Sequence, residues 1–136
     1  MKLSYEPISD QTLQRVKVLS QHPDKVENPL QLAEILFLDG HLKEAAIFYQ
    51  EALNRISKDS SNLSCADDRA WILFQIGNCL RNDDVPAAMK AYRQLITEYP
   101  SAPWTEITKT LEKLIDWYQK DKPRELIVTE KGGLQK

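Results

Sequence analysis

The fold is decided by one stretch: Leu73-Phe74-Gln75-Ile76-Gly77-Asn78-Cys79-Leu80, a break at Arg81-Asn82-Asp83-Asp84, then Val85-Pro86-Ala87-Ala88-Met89-Lys90-Ala91-Tyr92-Arg93-Gln94-Leu95-Ile96-Thr97-Glu98-Tyr99-Pro100. Both halves have helical apolar spacing, and each carries a small residue in its middle, Gly77 in one and Ala88 in the other. Small residues there let two helices approach closely where they cross. The stretch stops at Tyr99-Pro100. The stretch predicts an antiparallel helical hairpin.

Outward from it, the chain repeats the same statement. Asn28-Pro29 opens a helix whose inner stripe is Leu32, Ala33 and Leu36, and Asp39-Gly40 closes it with a left-handed turn. A second helix from Leu42 to Ile56 carries Ala45, Ala46, Tyr49, Ala52, Leu53 and Ile56, and the short link forces an antiparallel pair. Upstream, Ser9 caps a helix with Leu13, Val16 and Leu19 on one face, ended by His22-Pro23-Asp24. Downstream, Pro103-Trp104 starts a last helix with Trp104, Ile107, Leu111, Leu114, Ile115 and Tyr118 as its apolar face, to Lys120. Ser57 to Asp68 reads as a polar loop containing Cys65, with Asp67 or Asp68 capping the helix of Trp71. Pro123 bars continuation of the last helix, and the tail holds a strand-like run, Leu126-Ile127-Val128-Thr129, and Gly132-Gly133.

With 136 residues, 42% hydrophobic and 28% charged, the chain suits one globular domain. A formal charge of −2 gives no broad basic field, so neither nucleic acid nor an anionic membrane is an expected partner. Cys65 and Cys79 imply no disulfide framework and match no metal spacing. His22 and His41 have no nucleophile or carboxylate at a catalytic spacing, and there is no phosphate loop or dinucleotide fingerprint. The expectation is a non-enzyme without cofactor or metal. The start, Met1 to Pro7, lacks the apolar core of a signal peptide. A cytoplasmic location is expected, or a periplasmic one if a leader preceded Met1. Asn62-Leu63-Ser64 has the form of a glycosylation sequon that such a location would leave unused.

Aligned, the segments share one pattern. Leu32-Ala33, Ile76-Gly77 and Ile107-Thr108 each pair a large apolar residue with a small one. Pro29, Leu73 and Trp104 stand three before, and Leu36, Leu80 and Leu111 three after. Ala45 with Tyr49 and Ala88 with Tyr92 mark the second helices, and Pro100 the closing proline. This resembles the tetratricopeptide repeat, whose period is near 34 residues. The resemblance implies an all-α fold of antiparallel hairpins stacked as a short right-handed solenoid of about six helices. It divides the chain into a half repeat (9–22), repeats at 26–57 and 69–100, a final half repeat (103–120), an N-terminal extension (1–8) and a tail (121–136). The central repeat is one residue short between its helices, the first lacks the closing proline, and Gln11 and Arg15 depart from the pattern in the opening helix.

In that family the first helix of each hairpin lines a concave groove. The groove positions map here to Leu30, Glu34 and Phe37, and to Trp71, Phe74, Asn78 and Arg81. Asn78 matches the asparagine of chaperone-binding members, but Phe74 and Glu34 stand where basic and amide groups would be, so a carboxylate clamp is not expected. The implied role is a scaffold holding a peptide or helix of a protein partner, with Trp71 and Phe74 either as anchors or as core cover, and Trp104 as a buried structural tryptophan. Two alternatives stay open: self-assembly as a homo-oligomer through unfinished end helices, and an envelope-assembly role. The latter rests on Glu98-Tyr99-Pro100-Ser101-Ala102-Pro103, similar to the joint of periplasmic repeat proteins.

Overall fold

A computed structural model describes residues 7–56, 63–120 and 122–124. Among these residues the chain forms α1 (Asp10–Leu19), a 3-10 turn (Pro23–Lys25), α2 (Pro29–Leu38), α3 (Leu42–Arg55), α4 (Leu63–Leu80), α5 (Val85–Glu98) and α6 (Thr105–Gln119), with no strand. The all-helical, hairpin-based class is the one the sequence predicts.

Local chemistry explains where the helices begin and end. Backbone N–H groups at a helix start have no intrahelical acceptor, and side chains supply one. Ser9 Oγ accepts from Thr12 N, Asn28 Oδ1 from Gln31 N, and Asp84 Oδ1 from Ala87 N. Pro29 and Pro86 occupy first-turn positions where their missing N–H costs nothing. α2 ends with Gly40 at φ +83°, His41 N bonding Leu36 O at 2.9 Å and Gly40 N bonding Phe37 O at 3.1 Å. This closing turn satisfies two orphan carbonyls and needs the left-handed backbone that glycine adopts without strain.

The two hairpins, α2/α3 and α4/α5, stack through α3 against α4. Their shared core runs from Ala33 and Leu36 through Phe48, Tyr49 and Leu53 to Ile72, Leu73 and Leu95, each 5% exposed or less. A smaller cluster of Met89, Tyr92 and Ile115 joins α5 to α6. Leu36 to Ala45 spans nine positions, whereas Leu80 to Ala88 spans eight. The missing residue is taken from the helix end: α2 runs two residues past Leu36, while α4 stops at Leu80.

Three expectations need correction. Residues 63–68 are helical, so Cys65 lies in the first turns of α4, and Asp67 and Asp68 are inside the helix rather than caps. No glycine or proline interrupts that run, and docking of Arg69 and Ala70 on the core extends the helix upstream. α6 begins at Thr105, with Trp104 as the cap, because residues 101–104 form a turn held by Thr105 Oγ1 to Tyr99 O at 2.6 Å. Its buried face is Thr105, Thr108 and Ile115, while Ile107, Leu114 and Tyr118 are exposed. A helix buries whichever side has a neighbour, and among the described residues α6 packs chiefly on α5. Small threonines permit that approach, and Thr108 Oγ1 satisfies itself on Trp104 O at 2.6 Å.

At the other end α1 docks lightly. Val16 is buried, but Leu19 is exposed, unlike the expected inner stripe. Asp39 Oδ2 accepts from Ile8 N and holds the start of α1 near the end of α2. The expectations for most of the N-terminal extension, for Ser57 to Asn62, for Leu126 to Thr129 and for Gly132-Gly133 fall outside the described residues.

Candidate functional site

Three of the seven residues expected to line a groove converge. α2 supplies Glu34; α4 supplies Trp71 and Phe74, three positions apart and so neighbours on one helical face. Trp71 Nε1 donates to Glu34 Oε1 at 3.3 Å. The Trp71 ring stands 5.9 Å from Phe74 and 5.2 Å from Trp104, both tilted. All four side chains are half-buried, so Trp104 is partly open rather than the buried tryptophan expected. The arrangement is an aromatic corner with a carboxylate in its wall.

The other four of the expected residues are spent differently. Leu30 and Phe37 pack on the core, Phe37 edge-on to Tyr49 at 6.4 Å. Arg81 lines a separate cleft of about 530 Å³ with Asn82, Val85, Leu114, Ile115, Tyr118 and Gln119. Asn78 belongs to a hydrogen-bonded line that sequence reasoning missed. Tyr92 Oη donates to Asn78 Oδ1 at 2.6 Å, Asn78 Nδ2 to Gln75 Oε1 at 3.0 Å, Gln75 Nε2 to the Tyr49 hydroxyl at 3.2 Å, and that hydroxyl to Glu34 Oε2 at 2.6 Å.

Every donor in the line points toward Glu34. An ionised carboxylate only accepts, so it sets the direction of the whole series. Burial, then the Glu34 carboxylate, hold the Tyr49 phenol far above its ordinary range. Burial pushes Tyr92 up to about 12 and Cys79 up to about 12. Cys79 is therefore a protonated core thiol, not a nucleophile. The signal in the sequence was the recurrence of an acceptor and a tyrosine at matched places, Glu34 with Tyr49 and Asn78 with Tyr92.

Arg69 was also missed. It is 3% exposed, yet its Nη1 reaches Leu53 O and Ile56 O at 3.0 Å each, and its Nε reaches the Tyr99 hydroxyl at 2.7 Å. A cation at the end of α3 meets the negative pole of that helix. From α4, Arg69 thus ties the closing residues of α3 to those after α5, bordering a cavity of about 670 Å³.

For catalysis the geometry offers little. His41 Nε2 sits 2.8 Å from Asp39 Oδ2, beside the α2 closing turn. Among the described residues no three His, Cys, Asp or Glu side chains gather to hold a metal ion, and no helix is long and apolar enough to cross a membrane.

Residues 72–102, which comprise the second half of α4, all of α5 and the turn beyond, match the model of the tetratricopeptide repeat. Neither curated proteins nor solved structures give a match. Gly77, Ala88, Tyr92 and Pro100 all fall inside the matched segment, at the places the repeat pattern assigns them. The central hairpin is thus similar to a tetratricopeptide repeat, and the described residues on either side of it are helical and strand-free, as a repeat fold of that kind requires.

Proposed function

We propose that this protein is a non-enzymatic interaction scaffold that holds a peptide or helix of a protein partner along α2 and α4, with Trp71 and Phe74 as anchors. The observation carrying this reading is the half-buried corner of Trp71, Phe74 and Trp104 beside Glu34. Rigid aromatics that stay partly open beside a polar group are what an interface uses to bind strongly over a small area. Peptides selected from a random display library on the parent protein should bind Trp71→Ala and Phe74→Ala about tenfold more weakly or worse. Circular dichroism must show unchanged helix content. Equal affinity for both variants would overturn the groove assignment.

A second reading has its own observation. Ile107, Leu114 and Tyr118 leave an apolar stripe on the terminal helix α6, as an unfinished repeat would. Self-association through this face gives a mass that rises with concentration in sedimentation, and Leu114→Lys abolishes the rise. A constant monomer mass excludes it.

A further inference from the structure

We infer that the Glu34 corner receives a basic side chain, so that the partner segment presents a lysine or arginine flanked by apolar residues. This rests on the groove reading and adds the chemistry of its ligand. The Glu34 carboxylate is half-buried and surrounded by neutral donors: Tyr49 Oη on one oxygen and Trp71 Nε1 on the other. Among the described residues no lysine or arginine pairs with it. Arg69, on the neighbouring stretch of α4, is committed to the carbonyls ending α3.

A carboxylate offers roughly four acceptor sites, and two of these are used. The carboxylate lies beside Trp71, which packs on Phe74, and aromatic rings of this kind can carry the methylene stem of a long basic side chain and attract its charged head. Asp67 is exposed one turn before Trp71 on the same face of α4, adding a second negative charge along the approach. A negative, partly desolvated wall selects cations by charge and rejects acidic segments, which would bury like charge.

The test is a double-mutant cycle on a peptide selected by binding the parent protein. Replacing its central lysine by norleucine removes the charge and leaves the stem. On the parent this should weaken binding about tenfold; on Glu34→Gln, which keeps a carbonyl acceptor for Tyr49, it should have almost no effect. The same exchange should have a reduced effect on Asp67→Asn, a surface variant that leaves the core untouched. Selected peptides that need Trp71 but lack basic residues, or a lysine exchange equally costly on parent and Glu34→Gln, would overturn the cation while retaining the groove. If every selected peptide binds independently of Trp71, the groove reading fails and the cation site fails with it.

Discussion

Gly77 lies so close under Tyr92 that a β-carbon on it would enter the van der Waals shell of ring atoms Cδ1, Cε1 and Cζ. The aromatic ring has nowhere to go, since Tyr92 is fully buried and its hydroxyl is held by Asn78. The first hairpin has Ala33 and Tyr49 at the corresponding places, one residue further apart along the chain.

That difference gives a signed prediction. Gly77→Ala should destabilise the protein by about 1–3 kcal/mol, although alanine is intrinsically the better helix former by roughly 1 kcal/mol. Urea unfolding followed by circular dichroism measures it. A stabilised Gly77→Ala variant would mean that α4 and α5 can separate freely.

Tyr49→Phe removes one hydroxyl that serves two bonds, to Glu34 and from Gln75. Gln75 is 5% exposed and would keep an unmatched donor, so a loss of about 1–3 kcal/mol is expected. Combining it with Gln75→Leu should cost less than the sum of the two single changes, because both report on the same line of bonds.

Arg69→Met should cost about 1.5–3 kcal/mol, since two carbonyls ending α3 and the Tyr99 hydroxyl lose a charged donor. Hydrogen exchange should show faster opening at residues 53–56 and around Tyr99 than elsewhere. Uniform acceleration would argue against a local pin.

Stability should fall in alkali. In the folded chain Cys79 is raised from 9.0 to about 12 and Tyr92 from 10.0 to about 12, both by burial. The unfolded chain releases these protons first, so the folded state binds more protons in this window. The contribution is complete below pH 9 and is lost as pH rises through about 12. Urea midpoints taken from pH 8 upward should decline, and Cys79→Ala and Tyr92→Phe should each flatten the decline.

How legible this was depended on the kind of residue. Asn28 caps the neighbouring backbone with its own side chain, and Pro29 and Gly40 act through φ, so the ends they mark could be read directly. The start of α4 could not, because nothing in residues 63–68 forbids a helix and the decision came from packing at Ala70. On α6, Ile107, Leu114 and Tyr118 make the stronger apolar stripe, yet Thr105 and Thr108 are buried. Periodicity says that a helix has two faces and leaves the choice to its neighbours. Repeat alignment singled out Glu34 and Trp71 individually as candidates. Their bond, and the line through Tyr49, Gln75 and Asn78, depends on rotamers meeting across four helices.

That line has a mechanical meaning. Gln75 and Asn78 lie on α4, so the four bonds from Tyr92 to Glu34 cross from the second hairpin to the first at a single place, the Tyr49 hydroxyl. Sliding α4 by one residue along α3 would strand the buried Gln75 amide donor and leave the Tyr49 hydroxyl without its partner from α4. The two hairpins are therefore indexed to each other like teeth on a rack. The same Glu34 carboxylate that ends the line accepts from Trp71, so the placing of that ring is coupled to the junction.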